Sequence, residues 1–357
     1  MPKAIQKFGI FAALVLIVSV LATLAPGQSG KKSPADKSGE QKYAKYISYD
    51  VDKEKWLPKD STPPAEPRKK FNSTIKITPL LDLDRVPGAF YIDLNWMGKG
   101  YSKDYLDEGE HYNDFDEVIG LIGSQGEKDP RALGGEVEMW LGGEKYLINR
   151  SCLIFVPKGL KHIPIRFNRI DNAPVLFFTF GQTAKYSLTH TKFSDIKSAE
   201  RNYARYISYG VNYSKVSPEA EKKQMQEDRK IGSTVRGTRL LDLDQVPGAF
   251  YTDFAWLWSG SARGNSVVEH SHDFDEAIGF VGTRGGEKNP QDLGGEMEFW
   301  LGGEKYLIRK SCLIFVPKGL KHCPIRFKRI DAPILFFSIG MTGSYTSTPS
   351  YDFVTGH

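Results

Sequence analysis

Short runs of apolar residues separated by turn residues make up most of the chain. Side chains along a strand alternate between its two faces, so the run from 250 to 258 predicts a strand with an aromatic stripe. Gly-Gly and Pro-x-Gly sequences punctuate such runs, and the run from 312 to 316 is apolar on both faces, as in a central buried strand. Within the stripe, Trp256 and Trp258 are typical of core residues, with the wall of a pocket as the alternative. The pattern indicates an all-β protein.

The pattern returns after 160 residues, since His162 and Trp140 correspond to His322 and Trp300. LLDLDRVPGAFY at 80–91 returns as LLDLDQVPGAFY at 240–251. A period of this size is a whole domain rather than a solenoid unit. We expect two tandem domains at 43–189 and 203–347, joined by a linker at 190–202 and followed by a tail at 348–357. Each copy has its own Tyr-rich amino-terminal arm and its own barrel.

The first 26 residues predict an export segment. Lys3 and Lys7 precede an uncharged apolar run from 8 to 25, and Pro26-Gly27 ends any helix. A cleaved signal peptide and an uncleaved membrane anchor both fit, because the run is only slightly shorter than the roughly 20 residues of a spanning helix. Either one places the body of the protein outside the cytoplasm, periplasmic or extracellular. Residues 27–42 predict a flexible linker, and 217–230 predict a helix.

Charge and cysteine content narrow the classes of partner and fold. A net charge of +5 on 357 residues is slight, and no basic stripe with interleaved aromatics occurs, so nucleic acid is not an expected partner. Three cysteines give no disulfide framework. Cys152 and Cys312 are expected to be buried and to pack as small apolar side chains. Cys323 follows His322 and, by alternation, is expected to point away from it.

Two imidazoles and a carboxylate share one face of a predicted strand in the second copy: His270, His272 and Glu276. His322 arrives from a second strand. Three neutral nitrogens and one carboxylate form a coordination shell for one divalent first-row metal ion. The alternative is a set of hydrogen-bonded core histidines, which leaves the carboxylate without an explanation because a buried unpaired charge is costly.

The spacing of these residues resembles the cupin superfamily. Its first motif is met by Gly264, the two histidines at 270 and 272, and Glu276; its second motif, Pro-x-Gly-x-x-His, is met by residues 317–322. Ser311 and Arg326 depart from the family pattern, which usually has Gly and Asn there. The resemblance implies two double-stranded β-helix, or jelly-roll, barrels in tandem, a bicupin. It implies manganese or iron most often, with zinc, nickel and cobalt also suited to the ligands.

The first copy offers a second, weaker candidate site at His111, Asn113, Glu117 and His162. Asn113 stands where the second copy has His272, and an amide oxygen binds a transition metal more weakly than an imidazole. The first copy is therefore expected to be degenerate, with a structural or regulatory role.

Two further residues are candidates for catalysis. Arg326 lies four residues beyond His322, so on a regular strand both side chains share a face. Its guanidinium would then bind a carboxylate substrate through two parallel hydrogen bonds. A structural ion pair with Glu296 is the alternative. Glu298 is a candidate general acid or base, or else a solvated strand carboxylate.

These residues and the resemblance lead to two function hypotheses. The first is an exported metal-dependent enzyme acting on a small carboxylate or carbonyl compound, of the decarboxylase or dioxygenase type. The second is a non-catalytic ligand-binding or storage-like protein. A small molecule is the expected partner in both, and a homo-oligomer could form through the barrel faces.

Overall fold

The structure is a computed structural model, and it describes residues 41–49, 75–77, 81–99, 109–124, 131–191, 202–209, 235–241, 246–257, 265–266, 269–284 and 291–348. The predicted leader, the predicted helix at 217–230, Trp258 and Gly264 lie outside these ranges. Within them, no helix has the length and apolar character needed to cross a bilayer. Helical structure in the described residues is confined to two short 3-10 helices, Ala44–Tyr46 and Asn202–Tyr206.

The strands of the two copies correspond closely. The first 11 strands are β1 (Ile47–Ser48), β2 (Ile75–Ile77), β3 (Tyr91–Met97), β4 (His111–Tyr112), β5 (Glu117–Gly123), β6 (Ala132–Leu141), β7 (Glu144–Arg150), β8 (Cys152–Val156), β9 (His162–Ile170), β10 (Val175–Gly181) and β11 (Thr189–His190). The others are β12 (Ile207–Ser208), β13 (Val235–Leu241), β14 (Thr252–Leu257), β15 (Asn265–Ser266), β16 (Glu276–Gly282), β17 (Asp292–Leu301), β18 (Glu304–Lys310), β19 (Cys312–Val316), β20 (His322–Ile330) and β21 (Ile334–Gly340).

Each copy forms a barrel of two antiparallel sheets. In the described residues the first barrel combines the sheet β12-β8-β5-β10-β3-β2 with the sheet β11-β4-β9-β6-β7. The second combines β1-β19-β16-β21-β14-β13 with β15-β20-β17-β18. Two facing sheets with non-sequential neighbours are the jelly-roll arrangement, so the all-β, two-barrel fold predicted from the sequence is confirmed. β11 runs across the predicted boundary between residues 189 and 190.

Strand alternation divides the six-stranded sheets into two apolar faces. In β16, Ile278 and Phe280 point into the second barrel, while Ala277 and Val281 point outward to the first barrel. Both faces are buried, which explains why the strand is apolar at nearly every position. Leu301 lies in β17 on the opposite wall and completes the interior.

The two barrels pack through the outward faces of these six-stranded sheets. A stack of rings crosses the interface: Phe178 lies 4.6 Å from Phe254, and Phe254 lies 4.7 Å from Phe337. Trp96 of the first barrel stacks on Trp256 of the second at 6.5 Å. Each such pair contributes about 0.5–1.5 kcal/mol beyond the area that it buries. Trp256 is therefore an interface residue, which confirms its interpretation as core rather than pocket wall.

The amino-terminal arms are exchanged between the barrels. Ile47 of the first arm pairs with Ile314 in β19 of the second barrel, and Ile207 of the second arm pairs with Ile154 in β8 of the first. The sequence gives each copy its own arm and its own barrel, and in the structure each arm pairs with the barrel of the other copy. The two arms have nearly the same sequence and so do their docking sites, so the sequence alone does not distinguish the two arrangements.

The docking of the first arm depends on a glycine turn. A Cβ added at Gly302 would lie 2.2 Å from the Tyr43 ring, so only glycine lets the ring lie there. Tyr43 also donates its backbone N–H to the Tyr306 hydroxyl over 3.1 Å. Gly303 has a positive φ of 80° as well, but a Cβ there would meet nothing within 4 Å.

We expect Gly302→Ala to release the first arm from the second barrel. Hydrogen exchange of the segment 41–49 measures this, because the amides of β1 are protected only while they pair with β19. Gly303→Ala is the matched control, since it carries the same kind of left-handed backbone penalty, about 1–2 kcal/mol, without touching the arm. Equal deprotection in both variants, or in neither, would contradict the assigned contact.

Candidate metal centre

Backbone pairing brings the two sequence motifs of the second copy together. His270 and His322 exchange backbone hydrogen bonds of 3.1 and 2.9 Å in an isolated antiparallel bridge. The Gly319 N–H donates to the His272 carbonyl over 2.8 Å, and the Lys318 N–H donates to the Asp275 carboxylate over 2.8 Å. The histidines precede β16 rather than lying within it. The chain therefore holds both motifs at one end of the barrel.

Three of the four predicted ligands meet at one carboxylate oxygen. Oε2 of Glu276 lies 3.1 Å from Nε2 of His322 and 3.4 Å from Nε2 of His272. All three residues are buried, with 1–4% of their surface exposed. The opposite ring nitrogens, Nδ1 of His322 and Nδ1 of His272, contact the carbonyl oxygens of Leu320 and Thr346. These contacts aim both Nε2 atoms at the carboxylate, as the outer hydrogen bonds of metal-bound histidines do.

The converging atoms lack hydrogen bonds. Within the described part of the chain, Nε2 of His272, Nε2 of His322 and Oε2 of Glu276 have no hydrogen-bond partner. The short distances between them are those of an ion pair without hydrogen-bond direction. Orphaned buried polar atoms are costly, and a cation among them would satisfy all three at once. The residues therefore fit a divalent metal ion by their chemistry and by their lack of other partners.

The electrostatics favour an ionised carboxylate. Burial opposes ionisation of Glu276, but the His272 and His322 imidazoles outweigh it and lower its pKa to about 2. Burial likewise opposes protonation of His272, but Glu276, the Thr346 carbonyl and Asp273 raise its pKa above the ordinary value. The carboxylate is therefore ionised at neutral pH.

His270 lies in a second group that overlaps the first. Ligand atoms of His270, His322 and Cys323 lie within 4.8 Å of one another, as do those of His272, Glu276 and His322. The rings of His270 and His322 have centroids 4.2 Å apart. The structure thus brings the four predicted residues together around His322, in two groups rather than one. Their assignment as metal ligands stays a prediction.

The expectation that Cys323 points away from the site is wrong. Cys323 is buried and has a positive φ of 70°, so the alternation of side chains is broken immediately after His322. The pairing of β17 with β20 shifts register in the same place, between Phe299 and Leu301. The thiol consequently faces His270 and His322. The sequence carries no signal for this break other than the Pro at 324.

The same break corrects the placement of Arg326. Past the register shift, Phe327 points into the barrel and Arg326 is exposed on the outer face of β20. Its guanidinium lies over the Trp300 ring at 4.7 Å, so it neither shares a face with His322 nor reaches the site. Its expected ion pair with Glu296 is also absent among the described contacts, since Glu296 pairs with Arg309 at 2.8 Å.

Glu298 lies on this outer face too. Its carboxylate pairs with Lys305 at 3.3 Å and Lys328 at 3.8 Å, while the neighbouring Met297 points into the barrel. These ion pairs favour a structural role for Glu298 over general acid or base, and at 9% exposure it is not the solvated carboxylate expected as the alternative. Arg166 of the first copy stacks over Trp140 at 5.3 Å, so the outer faces are duplicated along with the interiors.

We expect Arg326→Ala to leave metal content and any turnover unchanged. The substitution removes one exposed cation–π contact, worth about 0.5–1 kcal/mol, and touches nothing in the barrel. Elemental analysis and a thermal melt check this, with Arg166→Ala as the equivalent change in the first barrel. Loss of metal or of turnover in the first variant alone would restore Arg326 to the site.

The first barrel holds a similar cluster with one substitution. Nε2 of His162 lies 3.1 Å from Oε2 of Glu117, and Asn113 donates a 2.8 Å hydrogen bond to the same oxygen. The amide thus satisfies the carboxylate that His272 faces in the second copy. Burial and the nearby His162 lower the pKa of His111 to about 3, so His111 is neutral at ordinary pH. This site is partly satisfied without a cation.

A tyrosine that follows β10 in the first copy and β21 in the second contacts a histidine of each cluster. The Tyr345 hydroxyl lies 3.2 Å from Nε2 of His270, and the Tyr186 hydroxyl lies 3.3 Å from Nε2 of His111. Sequence reasoning missed both. They recur 159 residues apart rather than 160, because the second copy is one residue shorter between β20 and β21 than the first is between β9 and β10. That recurrence was the available signal.

Asp253 is a second residue that sequence reasoning missed. It pairs across the sheet with Ser338, which in turn pairs with Ile278, two residues beyond Glu276. Asp253 therefore faces the barrel interior at the level of Ile278, which is the next inward-facing residue after Glu276 in β16. Burial raises its pKa to about 7, against an opposing backbone hydrogen bond from Phe254. Near neutral pH this carboxyl is therefore divided between its protonated and ionised forms.

We expect Asp253→Asn to reduce the loss of folding stability that accompanies a rise in pH from 4 to 8. A pKa raised from 3.8 to about 7 means that the folded state binds more protons than the unfolded state between these values, so stability falls as pH rises. The asparagine removes this loss, on the order of a few kcal/mol by pH 8 relative to low pH. Urea unfolding of both proteins from pH 4 to 8 with chelator measures it. Parallel pH curves would contradict the raised pKa.

No family model matches the chain, and no curated protein matches it. The chain has the bicupin fold. Solved structures that resemble it include oxalate decarboxylase from Bacillus subtilis at pH 4.6, at 10% identity over 75% of this chain and 72% of that chain, with a TM-score of 0.46. Another concerns the Mn(II) centres of the Bacillus subtilis enzyme, at 10% identity, 75% and 74% coverage and a TM-score of 0.47.

The formate complex of Lactobacillus farciminis oxalate decarboxylase also resembles the chain. It is 14% identical over 75% of this chain and 82% of that chain, with a TM-score of 0.45. These values leave the activity of the chain open. The bicupin assignment follows from the sheet order and from the two repeated clusters of His and Glu.

Proposed function

We propose that the second barrel binds one divalent transition-metal ion and that the protein is an enzyme acting there on a small carboxylate or carbonyl compound. The observation that supports this most is the convergence of three buried atoms without hydrogen bonds, on His272, Glu276 and His322. A purely structural cluster would satisfy them with protein donors, as the first barrel partly does through Asn113.

The residues of the second barrel have separate roles in this proposal. When bound, the ion would polarise a carboxylate or carbonyl oxygen as a Lewis acid. His270, His272, Glu276 and His322 would hold it, with the Leu320 and Thr346 carbonyls keeping the imidazoles of His322 and His272 aimed. Tyr345 contacts Nε2 of His270 through its hydroxyl and packs against the His272 ring, so it lies beside the cluster. Asp253, with a pKa near 7, would take up or release a proton on the same interior wall.

A non-catalytic ligand-binding protein is the second candidate. The supporting observation is closure: the cluster residues are 1–4% exposed, and Tyr345 packs against His272 with ring centroids 4.9 Å apart. A site closed in this way suits retention of an ion as much as turnover. Export and assembly into a homo-oligomer belong to both proposals.

We expect His322→Ala to abolish metal binding in the second barrel, because His322 belongs to both groups of ligand atoms. The matched change His162→Ala alters the first barrel and should leave the ion bound in the second barrel. Elemental analysis of both full-length variants, after dialysis against manganese, iron and zinc salts, gives the result. A wild-type chain that stays ion-free would end the proposal.

Turnover separates the two candidates. The wild type is assayed with oxalate and with simple diketones, with and without chelator, and the two histidine variants serve as controls. An enzyme should turn over one class in a chelator-sensitive manner and lose this activity in His322→Ala alone. Bound metal without turnover of either class would favour the ligand-binding protein.

A further inference from the structure

The second barrel carries a sulfur atom beside the predicted ligands. Sγ of Cys323 lies within 4.8 Å of ligand nitrogens of His270 and of His322, and all three residues are buried, with 1–4% of their surface exposed. Two ligands of one ion are separated by less than the sum of their bond lengths, about 4.4 Å for zinc with sulfur and nitrogen. The 4.8 Å span of this group is slightly larger than this sum, so its atoms would have to draw closer on binding one ion.

The first barrel has the same backbone without the sulfur. Ile163 follows His162 as Cys323 follows His322, with a φ of 68° against 70°. Ile163 is likewise buried, at 8% exposure. An aliphatic side chain is therefore compatible with this conformation, so the thiol is not required to build the turn. The thiol and His272 are the two additions that distinguish the second cluster from the first.

We propose that Cys323 is a ligand of the metal ion in the second barrel and makes this barrel select thiophilic divalent ions, such as zinc, cobalt or iron, over manganese. The inference rests on the proposed metal binding and narrows its metal class. Thiolate sulfur favours the softer ions, whereas manganese favours oxygen ligands. On binding, the S–H bond breaks, the proton passes to the buffer and the sulfur lone pair forms the bond to the metal, with no change of oxidation state.

The shared residue explains how sulfur enters the cluster. His322 is common to the group with Cys323 and to the group with Glu276. Candidate ligand atoms of both groups therefore lie near the His322 imidazole, the Glu276 carboxylate in one group and the Cys323 thiol with His270 in the other. A softer ion should move towards the thiol and a harder ion towards Glu276, with His322 bound in both cases.

Cobalt reports the sulfur directly. The full-length protein is stripped with chelator and loaded with Co²⁺, and its near-ultraviolet absorption is recorded. A bound thiolate gives an intense sulfur-to-cobalt charge-transfer band, which histidine and carboxylate ligands lack. We expect the band in the wild type and its loss in Cys323→Ile, which installs the residue of the first barrel, while the visible bands of bound cobalt remain.

Competition between metals tests the selection. Stripped proteins are dialysed against equal concentrations of Zn²⁺ and Mn²⁺, and the bound ratio is measured by elemental analysis. We expect the zinc-to-manganese ratio to fall on the order of tenfold or more in Cys323→Ile, the size of effect that residues near a metal commonly have. Cys152→Ala, a buried thiol outside both clusters, should leave the ratio unchanged and serves as the control. Cys323→Ala repeats both measurements if the isoleucine variant fails to fold.

The outcomes separate this inference from the proposal beneath it. Cobalt bound by the wild type without a charge-transfer band, and a metal ratio unchanged in both Cys323 variants, would overturn the role of the thiol and leave the metal site standing. A wild-type chain that binds none of the ions tested would overturn the metal site and the role of Cys323 together.

Discussion

Each barrel contains a buried carboxylate in its interior, and the residues around it must compensate for its charge. Glu276 is 2% exposed and Glu117 is 1% exposed, and each begins a strand at the centre of a six-stranded sheet. A charge in this position is tolerated only if neighbouring groups compensate for it. In the second barrel two imidazoles point at Glu276 without hydrogen-bond geometry, whereas in the first Asn113 supplies a donor. The exchange of Asn113 for His272 thus separates a carboxylate that has a side-chain donor from one that lacks it, and Cys323 in place of Ile163 is the other difference between the clusters.

The surroundings keep this arrangement rigid. The sheet that carries Glu276 is buried on both faces, by the barrel interior on one side and by the ring stack through Phe254 on the other. Close-packed interiors resist displacement, so the end of β16 is a fixed platform for the carboxylate. The histidines are held by the backbone bridge between His270 and His322 and by carbonyl contacts at Nδ1. Packing between the barrels therefore contributes to the precision of a cluster that lies inside one of them.

Much of the fold was available from the sequence, because it depends on periodicity. Alternation predicted the strands, the 160-residue repeat predicted two barrels, and the motif spacing predicted that His270, His272, Glu276 and His322 would meet. Prediction failed where periodicity stops. A register shift with a left-handed residue at Cys323 turned the thiol inward and Arg326 outward, and no rule of alternation contains such a break.

Other features were hidden because they depend on long-range choices. The raised pKa of Asp253 comes from burial beside partners that are distant in sequence. The exchange of arms was invisible because the chain repeats itself: Tyr43 and Tyr203 meet equivalent glycines, Gly302 and Gly142, and either pairing satisfies the same contacts. Repetition revealed the number of domains and concealed which parts belong together.

The crossing of the arms has a consequence for how the two halves cohere. Were the halves separate molecules, each would complete the other's sheet, and their association would weaken on dilution. Joined in one polypeptide, the same contacts form between partners that are always present at a high effective concentration. The duplication thus converts an exchange of strands between two molecules into an intramolecular one. A cut in the connecting segment would make the association of the two halves depend on their concentration.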